Sequence, residues 1–234
     1  MNAKPISPKH FIFYFLFALI HLGAILSGNE DHLLAMISKS LLLPSLMIVF
    51  YRLTRNRENR QRKFVFAALI LSWFGDVILM FQQQNANFFL IGLVCFLLAH
   101  VSYIYSFHLA KRSGVSSLLR KKPWLVLLFV IYANIIFYVI HGGLDDMLVP
   151  VMVYMCVILA MGLTALNRFG KVSRQSLMDV FLGAVFFMLS DSLLAINKFH
   201  SPFAFASLLI MLTYIAAQYF IVKGMIEETI EASI

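Results

Sequence analysis

Eight apolar runs, each 17 to 22 residues long and each closed by charges or turn residues, constrain this chain more than any other feature. They fall at about 11–27, 33–51, 64–81, 88–109, 123–141, 148–166, 178–196 and 203–223. An α-helix rises 1.5 Å per residue, so about 20 apolar residues cross the ~30 Å hydrocarbon core of a bilayer. Backbone amides in lipid have no water to bond, which makes helices the solution for runs of this length. The pattern predicts an all-α, polytopic membrane bundle of eight transmembrane helices. Composition agrees: 61% of the 234 residues are hydrophobic and 13% charged, against roughly 25% charged in a soluble domain. The spans use up most of the chain, so residues 1–234 read as one integral membrane domain. Its loops are short, which makes consecutive helices antiparallel neighbours.

The net charge of +8 is a topology signal and not a nucleic-acid groove. All but two of the 19 Lys and Arg residues sit on alternate loops or at one end of the bundle. Lys4 and Lys9 are in the N-terminal tail, six cations in RLTRNRENRQRK, five between Lys111 and Lys122, then Arg168, Lys171, Arg174 and Lys223. The opposite loops, GNEDH, QQQNAN, HGGLDD and NKFHSP, hold Lys198 alone. The positive-inside rule therefore places both termini in the cytoplasm. The run at 11–27 follows a lysine-bearing tail, like a signal peptide, but it is long and lacks a small-x-small cleavage site. It reads as a retained first helix. Cys95 and Cys156 fall inside spans without CxxC spacing and read as buried thiols. The compact chain points to a bacterial inner membrane, with membrane lipids as its surroundings.

Three charged side chains lie well inside the spans: Lys39, Asp76 and Asp191. A charge near the bilayer centre costs about 2.5–3.5 kcal/mol on insertion scales, so each asks for a partner or a purpose. Helix rise places all three roughly 7–10 Å below the outer boundary. His21, Asn134 and Tyr154 come out at the same depth, so six spans each contribute one polar residue to one layer. Deeper in, His100 and Tyr103 share a face at i, i+3, and Tyr214 and Gln218 at i, i+4. Interhelical bonding alone can explain several of these residues. Two carboxylates with a single ammonium are harder to read as glue, because one ion pair leaves the second Asp unmatched. LSWFGDVIL and FFMLSDSLL also echo each other, a faint mark of a parallel four-plus-four repeat that would map Lys39 onto Tyr154. No HExxH or paired-histidine spacing sits in the layer, so neither a metal nor another cofactor is required. A proton-coupled carrier would use the same buried Asp pair.

Several blocks resemble the YhhN-like membrane proteins, which include the lysoplasmalogenases. They are Lys39 with Leu42-Leu43-Pro44 after it, Gly75-Asp76, then Phe89, Gly92, Phe96, His100 and Tyr103. Gly183-Ala184-x-Phe186 leading to Ser190-Asp191-x-x-Leu194-Ala195 follows, and Tyr214-x-x-Ala217-Gln218 ends the set. Ser40 stands where many relatives carry Pro. The resemblance implies an eight-helix fold and hydrolysis of the vinyl ether bond of a lysophospholipid substrate, a lysoplasmalogen. The products are a fatty aldehyde and glycerophosphoethanolamine or glycerophosphocholine. It matches Asp76 and Asp191 to the family's catalytic positions. A vinyl ether hydrolyses by protonation at carbon, so one Asp must hold a proton while the other steadies the resulting cation, as in glycosidases. Asp191 is read as the acid and Asp76 as the carboxylate. Lys39, His100, Tyr103, Tyr154, Asn134, Tyr214 and Gln218 are the candidate substrate-binding residues.

Overall fold

Every apolar run folds as a helix in the computed structural model, which describes residues 6–29, 32–57, 60–110 and 115–231. Eight long helices follow in order: α1 Ile12–Leu26, α2 Leu33–Thr54, α3 Arg60–Leu79 and α4 Ala86–His108, then α5 Trp124–Ile140, α6 Leu148–Leu166, α7 Arg174–Phe199 and α8 Ala206–Glu231. A 3-10 turn, Pro8–Phe11, leads into α1, and a single turn, Leu118–Lys121, precedes α5. There is no strand among the described residues. Lys4, Lys111 and Arg112 of the loop charges lie outside them.

Seven of the eight are long and apolar enough to cross a membrane. The exception is α3, which opens on Arg60, Arg62 and Lys63 and carries Asp76 near its end. Three helices also outrun their apolar segments. Hydropathy locates α3 at 64–81, yet the helix starts at Arg60, because Arg, Gln and Lys are good helix formers. α7 starts at Arg174, where the Ser173 side chain caps it by accepting from Ser176 N–H at 3.2 Å. α8 continues to Glu231, past Lys223, through a polar cluster that the other helices supply.

The closest helix pairs are α3–α4 and α7–α8; the first carries Asp76 and the second Asp191. Glycine makes both pairs possible. A Cβ on Gly183 would stand 2.8 Å from Ala217 O and 2.7 Å from Ile221 N, so the two backbones meet directly. A Cβ on Gly75 would stand 2.7 Å from the Phe96 ring. Small residues at such crossings are the usual means of helix association where lipid supplies no hydrophobic drive.

Pro44 lies inside α2. Proline has no N–H, so the carbonyl of Ser40, four residues back, loses its helical donor. The Trp73 indole N–H of α3 donates to that oxygen at 2.9 Å. This bond fixes α2 one residue beyond Lys39. The main core runs through the bundle centre, with Leu43, Leu46, Leu69, Met161, Phe187 and Ile221 fully or almost fully buried. α5 stands at the edge: only Ala133 and Ile140 of it are buried.

Candidate active site

A cavity of about 260 Å³ opens near the end of the bundle where α3 stops and α8 begins. It is lined by Lys39 of α2, Asp76 of α3, Tyr154 of α6, Asp191 of α7 and Tyr214 of α8. His21 of α1, from the same depth layer, joins them. Helix rise therefore brought five of the six layer residues to one void. Asn134 is the sixth, and it stands elsewhere: it is exposed on α5, and its amide donates to Val130 O of its own helix at 2.8 Å. Depth can be counted along a helix, but the direction a residue faces depends on which side of α5 packs.

The two carboxylates have different surroundings. Asp76 is buried and accepts the Tyr214 O–H at 2.7 Å. Behind Tyr214 the bonds continue in one direction. Gln218 Nε2 donates to the Tyr214 oxygen at 3.4 Å, and Tyr103 O–H donates to Gln218 Oε1 at 2.8 Å. Tyr103 and Gln218 thus stand behind the cavity wall rather than on it. Asp191 is 17% exposed in its side chain. Its Oδ2 accepts the Tyr154 O–H at 2.5 Å and lies 3.2 Å from His100 Nε2. His100 Nε2 is also 2.9 Å from the Tyr154 oxygen, while Nδ1 is buried without a partner. An orphaned lone pair costs less than an orphaned N–H in this setting, so the proton is assigned to Nε2, donating to Asp191. His100 also sits behind the wall. Oδ1 of Asp191 has no partner among the described residues and is left for whatever enters.

Lys39 completes the site. It makes no hydrogen bond or ion pair among the described residues, although its charge acts on both Asp76 and His21. An ammonium held beside a carboxylate but not touching it, on the wall of a void, is placed to meet an anion from outside. The floor consists of interlocked rings, with Phe187 and Tyr214 edge to face at 5.5 Å and Phe96 against both. Polar wall residues that sequence reasoning passed over include Gln82, Gln83, Asn197, Ser207 and Ser190, whose hydroxyl donates to Ile210 O at 3.0 Å. Ser190 shows no signal of its own beyond adjoining Asp191.

Fold and cavity together define an integral membrane helical bundle with a two-carboxylate, one-ammonium site. The profile of the YhhN family matches residues 34–225; the chain belongs to the YhhN family. Among its relatives, lysoplasmalogenase TMEM86A of Bos taurus is 29% identical over 170 residues, 70% of this chain and 65% of that protein. Lysoplasmalogenase TMEM86B of Homo sapiens is 29% identical over 180 residues, 76% of this chain and 70% of its own length. A lysoplasmalogenase of Mycobacterium tuberculosis (strain CDC 1551 / Oshkosh) is 30% identical over 166 residues, 71% of this chain and 61% of the relative. The chain thus spans about two thirds of the length of the relatives it matches. No solved structure matches it.

Proposed function

We propose that this protein is a lysoplasmalogenase, hydrolysing the vinyl ether bond of a lysophospholipid to a fatty aldehyde and a glycerophospho-alcohol. The observation that carries this reading is the pair Asp76 and Asp191, delivered by separate helix pairs to one cavity with Lys39, which has no ion pair among the described residues, on its wall. Relatives named for the activity support it. Asp191 is the acid. It gives its proton to the alkenyl carbon β to the ether oxygen, forming a C–H bond and an oxocarbenium ion. Asp76, steadied by Tyr214, stabilises that cation and takes a proton from the attacking water. The hemiacetal so formed breaks its bond to the glycerol oxygen, which takes the proton held by Asp76, while the hemiacetal O–H proton passes through cavity water to reload Asp191 as the aldehyde leaves. One water is consumed for each aldehyde released. Lys39 holds the phosphate.

The frame for this chemistry is part of the same proposal. Residues 1–234 form one membrane domain crossing the bilayer eight times, α3 included, with both termini in the cytoplasm of a bacterial cell. Lys9 and the cations of 52–63 then lie inside, and the cavity opens towards the outer face. The test is aldehyde release from lysoplasmenylethanolamine by the purified full-length protein, with Asp191→Asn alongside. Release by the wild type and loss in a variant of unchanged melting temperature is the expected result. A well-folded wild type that releases no aldehyde, or an equally active variant, overturns the scheme; proton-dependent uptake into vesicles without product would then make it a carrier.

A further inference from the structure

The cavity has a ring-packed floor and a neighbouring hollow. Below, the rings of Phe96, Phe187 and Tyr214 pack edge to face, and the fully buried His100 packs on Phe187. Sideways, a hollow of about 50 Å³ shares Val151, Tyr154, Asp191 and Ala195 with it. From that joint it continues between α5, α6 and α7, along Ala133, Ile136, Met155 and Leu159. Its own polar groups bond each other or the backbone. Tyr132 O–H and Ser192 Oγ are 2.6 Å apart, and the Tyr132 oxygen is 3.1 Å from Met188 O. What remains of the wall is carbon and sulfur. The outer partition is α5, whose Leu128, Ile131 and Ile135 are exposed.

We propose that this slot takes the hydrocarbon chain of the lysolipid, entering beside Asp191 and leaving between α5 and α6 into the surrounding lipid. The proposal rests on the lysolipid reading above and adds the path of the chain. With phosphate at Lys39 and the ether beside Asp191, the next carbons start at the wall that cavity and slot share, Val151, Tyr154, Asp191 and Ala195. Methylene groups leave water for an apolar wall favourably, so the slot is preferred to the aqueous mouth. The slot is about one fifth of the cavity in volume (50 against 260 Å³), so it encloses only the first carbons. The rest of the chain lies along the exposed apolar face of α5. Selectivity follows from this division: branching close to the vinyl ether is rejected, whereas added length far from it is scarcely read. Ala133, Ile136 and Met155 become the residues that set it.

A saturated 1-O-alkyl lysophosphatidylethanolamine with a diazirine on the fourth chain carbon tests the path directly in the full-length protein. Photolysis and peptide mapping are expected to label α5 and α6 around Ala133, Ile136 and Met155. Labels confined to Ile25, Met36 and Met211 on the opposite wall, or no label at all, overturn the slot. The probe has no vinyl ether, so it reports binding whether or not the protein cleaves anything, and failure of the reaction registers separately. A second measurement is the ratio of kcat/KM for a long-chain lysoplasmalogen to that for a two-carbon O-vinyl analogue with the same head group, which has no carbon beyond the double bond to enter the slot. Filling the slot with Ala133→Phe is expected to lower this ratio tenfold or more. A ratio equal to that of the wild type, whether both rates persist or both fall, overturns the proposal.

Discussion

The molecule buries charge at both ends, in two different ways. Far from the cavity, Arg168 is wholly buried, and its Nη2 meets Glu228 Oε2 at 2.6 Å and Ser176 Oγ at 2.8 Å. Gln61 of α3 donates to the other Glu228 oxygen at 2.9 Å, and Lys223 Nζ lies 2.6 Å from Asp179 Oδ2. Burial draws the Arg168 guanidinium below its ordinary value, against the upward pull of Glu228 beside it. Arg168, Lys223, Asp179 and Glu228 each touch a group of opposite charge, and neither cavity reaches them. At the cavity end, Lys39 has no hydrogen bond or ion pair among the described residues, and it lines an open cavity together with Asp76 and Asp191. Charge that is matched and packed ties α3, α6, α7 and α8 together. Charge at the cavity is instead left within reach of what enters.

The same substitution at both ends separates these roles most sharply. Asp76→Asn is expected to lower kcat about 100- to 10,000-fold, the range for losing one acid–base group, with little change in melting. Asp179→Asn leaves aldehyde release near the wild-type rate and lowers the melting temperature instead. If the two behave alike, the division of labour is wrong. Next in size, Glu228→Ala strands the Arg168 guanidinium and destabilises the protein by about 3–5 kcal/mol. The double change Arg168→Met with Glu228→Leu recovers most of that, as thermal unfolding in detergent checks. Lys39→Met removes the ammonium proposed to hold the phosphate, so KM for a phosphate-bearing lysolipid rises roughly 10- to 100-fold, the equivalent of one charged hydrogen bond. Melting stays put, and Lys39→Arg regains part of the affinity. Smallest of all, Asn134→Ala changes neither rate nor stability beyond about 0.5 kcal/mol, as befits an exposed position.

How much of this was legible in the residues themselves follows from what hydropathy measures. It reports which stretches avoid water, so the spans at 33–51 and 148–166 coincide closely with α2 and α6. It is blind to where a helix stops. α8 runs to Glu231 because Glu228 has Arg168 to bond, a pairing between positions 60 residues apart that no local pattern announces. Depth was countable from the helix rise, and Lys39, Asp76, Tyr154 and Asp191, counted to one layer, line one cavity. Azimuth was not, which is why Asn134 shared their depth without sharing their cavity. The Trp73 bond to Ser40 O is a further case: Pro44 signals a missing donor, but only packing reveals which side chain replaces it.

The string from Tyr103 through Gln218 to Tyr214 has one more consequence. All its bonds point towards Asp76, so it polarises that carboxylate from a distance. Yet an amide accepts at oxygen and donates at nitrogen, and it does not pass a proton along as a hydroxyl or a water does. Gln218 is therefore an insulator set in a wire: Asp76 feels the voltage of the string but draws no current through it. Protons bound for Asp76 therefore come from the cavity side and not along this string.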